Sequence, residues 1–188
     1  MKYSLVASIV FCLPIVAAEA FQLRYPSPPS DPTRVYFLNS DQKLVPLPFE
    51  RGETSANVFV PAGEDKILTV RIKRASAETV LPDGDLRFYA YVADRMDPPP
   101  HQLVRLRPGK SNRELRISLI RGRKGYAPFD VDTVKLEHRL LDRLRVNAGS
   151  NRILFVNYME LHPSGKLTPG EYAIIGDSLA DMATFRVK

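Results

Sequence analysis

Apolar and polar residues alternate with a period of two along most of the chain. Residues 67–73 set Leu68, Val70 and Ile72 against Thr69, Arg71 and Lys73. Residues 86–92 set Leu86, Phe88, Ala90 and Val92 against Arg87, Tyr89 and Tyr91, and residues 115–121 place Leu115, Ile117 and Leu119 together. Short apolar runs fall at 35–38 and 57–60, and further strand-like runs at 103–107, 153–161, 172–175 and 183–187. A period of two is the mark of a strand whose two faces meet different surroundings. The separators are turn formers: Pro82-Asp-Gly84, Pro98-Pro-Pro100 and Pro108-Gly109. Many short strands punctuated in this way predict an all-β chain, a single antiparallel β-sandwich over residues 34–188.

One segment carries two periods at once. Leu136, Leu140, Leu141 and Leu144 share a helical face, Thr133 or Asp132 offers a cap, and Asn147 with Gly149 offers an end. Val134, Leu136, His138 and Leu140 also alternate as a strand would. Leucine and arginine are good helix formers, so a short helix over 133–146 is the expectation and a strand the alternative.

The N-terminus has a different grammar. Lys2 precedes an uncharged apolar stretch from 5 to 18, too short for the roughly 20 residues of a membrane-crossing helix. Ala18-Glu19-Ala20 then gives a small-x-small cleavage site, so residues 1–20 are expected to be a secretory signal peptide; Val16-Ala17-Ala18 is the second choice of site. Cys12 follows Phe11, where a lipoprotein signal needs a small residue. Cleavage removes this cysteine, the only one, leaving a mature chain with no disulfide and no transmembrane segment. Apolar burial must then hold the fold, and 44% hydrophobic residues suffice for one domain. Residues 21–33 form an arm with four prolines between 25 and 33, expected to be extended.

Near the C-terminus, Leu167-Thr-Pro-Gly-Glu-Tyr172 and the apolar Ala173-Ile-Ile175 resemble the entry to the penultimate strand of fibronectin-III-like and other immunoglobulin-like sandwiches. In those folds a tyrosine near the start of that strand bonds back to the preceding chain. The resemblance implies an immunoglobulin-like sandwich with Tyr172, Pro169 and Gly170 in structural roles. It implies no chemistry.

Four constellations invite a catalytic or metal reading. Gly176-Asp-Ser-Leu179 resembles the nucleophile block of GDSL-type esterases, with Ser178 as nucleophile. That family is an α/β fold whose serine lies near the N-terminus, with a histidine block far downstream. Here ten residues come after Ser178 and none is histidine, so a hairpin turn is the expectation. His101, His138 and His162 lie in separate segments without zinc-site spacing. Asp83 with Asp85, and Asp130 with Asp132, have a calcium-like Asp-x-Asp spacing, but a turn and a cap explain them as well. No carboxylate pair is singled out for glycoside hydrolysis. No catalytic residue, metal or cofactor is expected.

Charge is the feature with an uneven distribution. Arg105, Arg107, Lys110, Arg113, Arg116, Arg121, Arg123 and Lys124 stand between residues 101 and 125 against Glu114 alone. This stretch carries +7, so the net charge of +6 belongs to two adjacent strands and their turns, and the rest of the chain sums to −1. By alternation Arg105, Arg107 and Arg116 face outward. A concentrated positive face attracts polyanions, although cations also keep sheet edges from pairing. For an exported chain the expected partner is an anionic envelope component or an acidic protein, and nucleic acid is not expected. The favoured function is a periplasmic or extracellular, non-enzymatic binding or structural module. The alternatives are an extracytoplasmic hydrolase and a periplasmic chaperone.

Overall fold

The computed structural model describes residues 25–56, 66–94, 100–122, 125–147, 153–176 and 181–188. The expected signal peptide, the run 57–60 and Ser178 lie outside them. Among the described residues the strands are β1 (Tyr36–Leu38), β2 (Leu44–Pro46), β3 (Phe49–Ala56), β4 (Lys66–Lys73), β5 (Val80–Leu81), β6 (Phe88–Ala93) and β7 (Gln102–Pro108). β8 (Asn112–Gly122), β9 (Gly125–Val131), β10 (Thr133–Val134), β11 (Leu136–Asn147), β12 (Ile153–Pro163), β13 (Gly170–Ile175) and β14 (Asp181–Val187) complete them, with no helix.

The expected all-β class is what these residues form, but one layer is closed. Strands β3, β4, β8, β7, β13 and β14 make an antiparallel ring, with β14 returning to β3. Where β7 and β8 part, β9 continues along β8 and β10 along β7. The second layer is an antiparallel sheet in the order β11-β12-β6-β1-β2. The architecture is therefore a six-stranded barrel carrying a five-stranded sheet. Closure leaves the ring without the exposed edges of an open sheet.

Two cores arise from strand parity. Val70, Ile72, Val104, Leu106, Leu115, Ile117, Ala173, Ile175 and Met182 fill the barrel. The opposite faces of β7, β13 and β14 present Leu103, Tyr172, Ile174, Ala183, Phe185 and Val187 to Phe88, Ala90, Val92, Met159 and Leu161 of the sheet. These three strands are covered on both sides, which explains why residues 172–175 and 182–185 are buried without interruption. β4 and β8 face water on one side, so their sequences alternate cleanly. Pro108-Gly109 forms the β7–β8 turn. The Gly109 amide donates to the Asn112 carbonyl at 2.8 Å, and a Cβ there would clash with the Asn112 side chain.

The helix expected over 133–146 is absent; the segment is β10 and β11. β11 pairs with β12 along its whole length, with a bulge between Leu140 and Asp142. One extra residue reverses the parity of the rest of the strand. Leu136 therefore packs on the inter-layer core, while Leu141 and Leu144 pack on the outer tyrosines of the sheet. A bulged strand thus reproduces the leucine spacing of a helix.

Candidate functional site

The closed ring sets the basic residues in register on its outer wall. Arg105 and Arg107 on β7, Lys110 in the turn and Arg116 on β8 are all exposed, as are Arg71 and Lys73 on the adjoining β4. Glu114 stands among them, opposite Arg107 on one side and Arg71 on the other. Arg71 Nε donates to it at 3.0 Å and Arg116 at 3.3 Å, and its hydrogen bond from Arg71 foremost holds its carboxyl below the usual glutamate range. Lys73 pairs with Glu53 at 3.2 Å. Among the described residues Glu53 and Glu114 are the carboxylates ion-paired to these six cations, and exposed Asp132 stands beside Arg105. Arg121 lies further along β8, and Arg123 and Lys124 lie outside the described residues.

Arg113 does not belong to this face. It is fully buried, and its register opposite Ile72 turns it into the barrel. There it pairs with Glu50 and with Glu171 at 3.5 Å, and donates through Nε to the Arg74 carbonyl at 3.2 Å. Glu50 also accepts from Thr184, and Glu171 accepts from Ser76 at 2.8 Å and from the Ala77 amide at 2.9 Å. Arg186 approaches Glu171 at 3.7 Å. A buried arginine must be compensated, and the two carboxylates compensate it. The assignment of Arg113 to a polyanion surface is corrected accordingly.

Tyr172, Pro169 and Gly170 meet the basic wall at Arg105. The Tyr172 hydroxyl donates to the Thr168 carbonyl at 2.7 Å, and its ring stacks on Phe185 with centroids 5.6 Å apart. Arg105, opposite Tyr172 in the ladder, donates to the Pro169 carbonyl at 3.2 Å. A Cβ on Gly170 would stand 3.3 Å from the Arg105 guanidinium, so a glycine there lets the arginine lie flat on the turn.

The other sequence candidates scatter. His101 precedes β7 and lies near Gly176, His138 is half-buried on β11, and His162 ends β12. No group of three metal-ligating side chains occurs among the described residues. Asp83 pairs with Lys166 at 2.7 Å, and Asp85 with Arg87 at 2.9 Å and His162 at 2.6 Å. Hydrogen bonds from Arg87 and then His162 lower the Asp85 carboxyl. This pair lines a cleft of about 380 Å³ that also includes Ser164, whose hydroxyl donates to the Lys135 carbonyl at 3.2 Å. The Asp132 carbonyl accepts from the Arg105 amide at 2.8 Å.

Sequence reasoning passed over the outer face of the five-stranded sheet. Tyr36, Tyr89 and Tyr158 are buried there, with Tyr91 beside them. The signal was the alternate set Arg87, Tyr89 and Tyr91, aromatic where a solvated face would be charged. No protein family, curated protein or solved structure matches this chain.

Proposed function

We propose that the chain is an exported, non-enzymatic binding module of the cell envelope or secreted space, whose barrel wall holds an anionic polymer, lipid headgroup or acidic protein. One observation carries the reading: Arg71, Lys73, Arg105, Arg107, Lys110 and Arg116 share one wall, and among the described residues the carboxylates ion-paired to them are Glu53 and Glu114. Arginine and lysine fixed on a ladder present their charge without first ordering a loop, which favours polyanion capture. Export rests on Lys2, the apolar stretch 5–18 and Ala18-Glu19-Ala20. The sandwich description draws support from the face-to-face packing of the sheet on β7, β13 and β14, and the immunoglobulin-like one from the backward bond of Tyr172.

Reversing Arg107, Lys110 and Arg116 to glutamate, or Arg121, Arg123 and Lys124 likewise, should abolish retention on heparin or on anionic vesicles. Unchanged retention of both variants at low salt would sink the proposal.

A further inference from the structure

Residues 25–31 lie across the outer face of the five-stranded sheet, and tyrosines from three strands hold them. Tyr158 on β12 donates its hydroxyl to the Pro26 carbonyl at 3.2 Å, Tyr91 on β6 to the Pro29 carbonyl, and Tyr36 on β1 to the Asp31 carbonyl at 2.9 Å. The Tyr25 ring meets Tyr158 edge-on, with centroids 6.4 Å apart. The arm therefore crosses the strands instead of pairing with one. Prolines have no amide to give, so the arm offers carbonyls and ring surface, and the tyrosines take both.

Pro26 and Pro29, three apart, are half-buried and bonded by their carbonyls, with Pro28 half-buried between them and Ser27 and Ser30 exposed; the third bonded carbonyl, Asp31, follows two residues on. Polyproline II has three residues per turn and no internal hydrogen bonds, so every third carbonyl points the same way. Aromatic grooves that read proline-rich segments use this geometry.

We propose that the tyrosine face is a recognition site for a proline-rich, polyproline II segment of a partner protein, with the chain's own arm as its resident occupant. The site reads two carbonyls three residues apart and the ring surface between them. Residues 25–30 make no strand pairing among the described residues; two tyrosine hydroxyls and the Tyr25–Tyr158 ring contact hold them. The occupant in trans is a partner and not a second copy. Asp31 is itself held by Tyr36, the first residue of β1, and its side chain closes the turn onto Thr33. Reaching the same face of another molecule would require that turn to open. The site is on the sheet and the basic wall on the barrel, so neither assignment depends on the other.

The test uses the full chain and a peptide of the sequence of residues 25–31, Tyr-Pro-Ser-Pro-Pro-Ser-Asp. Pro26→Gly, Pro28→Gly and Pro29→Gly together keep the carbonyls but remove the fixed φ and the ring surface of the prolines, outside both cores. The peptide should bind this variant about tenfold or more tighter than wild type, because the resident arm no longer competes. Adding Tyr91→Phe should weaken that binding about fivefold. Equal binding to variant and wild type would overturn the proposal. So would equal binding of a peptide with alanine for each proline, or an arm as protease-resistant in the glycine variant as in wild type. A wild-type dimer with exchanged arms would overturn the choice of a partner.

Discussion

Arg113 and Arg116 stand three residues apart on β8 and spend their charge in opposite places. Arg116 is exposed on the barrel wall, and Arg113 is sealed inside between Glu50 and Glu171. Counting charge along the chain could not separate them. Parity could, because Arg113 shares its side of the strand with Leu115 and Ile117. What the sequence lacked was the pair of carboxylates, which arrive from β3 and β13, far away along the chain. Removing the arginine strands both acids in the barrel. Arg113→Ala should therefore cost about 3–5 kcal/mol in urea unfolding, whereas Arg116→Ala should stay within about 0.5 kcal/mol. Comparable small losses at both positions would mean that the buried pairs contribute no compensation. The Tyr172 bond to Thr168 was legible at this scale, because it lies within five residues and needs no distant partner.

At the scale of elements, legibility tracked the environment of each face. β4 and β8 alternate because one side is barrel and the other water, and their strands could be read directly. β11 misled because a bulge between Leu140 and Asp142 lets a strand carry leucines at a spacing that reads as helical, and a bulge is set by pairing with β12, not by β11 alone. Tyr89 and Tyr91 of β6 were read as the far side of a strand and the arm as an extended segment; their contact depends on three strands pairing, which neither segment shows alone. That burial has a consequence in alkali. It pushes the Tyr89 hydroxyl up to about 12, aided by Glu160, and raises Tyr36, Tyr91 and Tyr158 as well, with burial the leading cause in each. The folded chain keeps protons that the unfolded chain releases near pH 10, so the contribution is whole below about pH 10 and is lost above it. Stability should fall by about 1.4 kcal/mol per pH unit for each tyrosine still protonated. Tyr89→Phe should flatten the decline between about pH 10 and about pH 12, measured by urea unfolding at stepped pH. An unchanged slope would place the Tyr89 proton in water.

For the molecule as a whole, the two layers divide the surface into a basic barrel wall and a tyrosine-faced sheet. Class and most strands were legible because alternation is local; barrel closure was not, since it depends on β14 meeting β3 and β7 meeting β8, contacts that no local pattern encodes. The basic stripe was legible as composition but not as a surface. Whether it is a surface in the functional sense can be separated from net charge alone. Arg107→Glu with Lys110→Glu and Arg116→Glu brings the formal charge of +6 to zero. Lys43→Glu with Arg143→Glu and Arg145→Glu does the same from exposed positions on or beside the five-stranded sheet. Long-range attraction to a polyanion depends on the total, whereas displaced counterions depend on contacts actually made. Retention on heparin should therefore be lost in the first variant. In the second it should persist at low salt, with a log–log salt slope within about one unit of wild type. Equal losses in the two would reduce the wall to a solubility device, because charge would then act without regard to where the fold has put it.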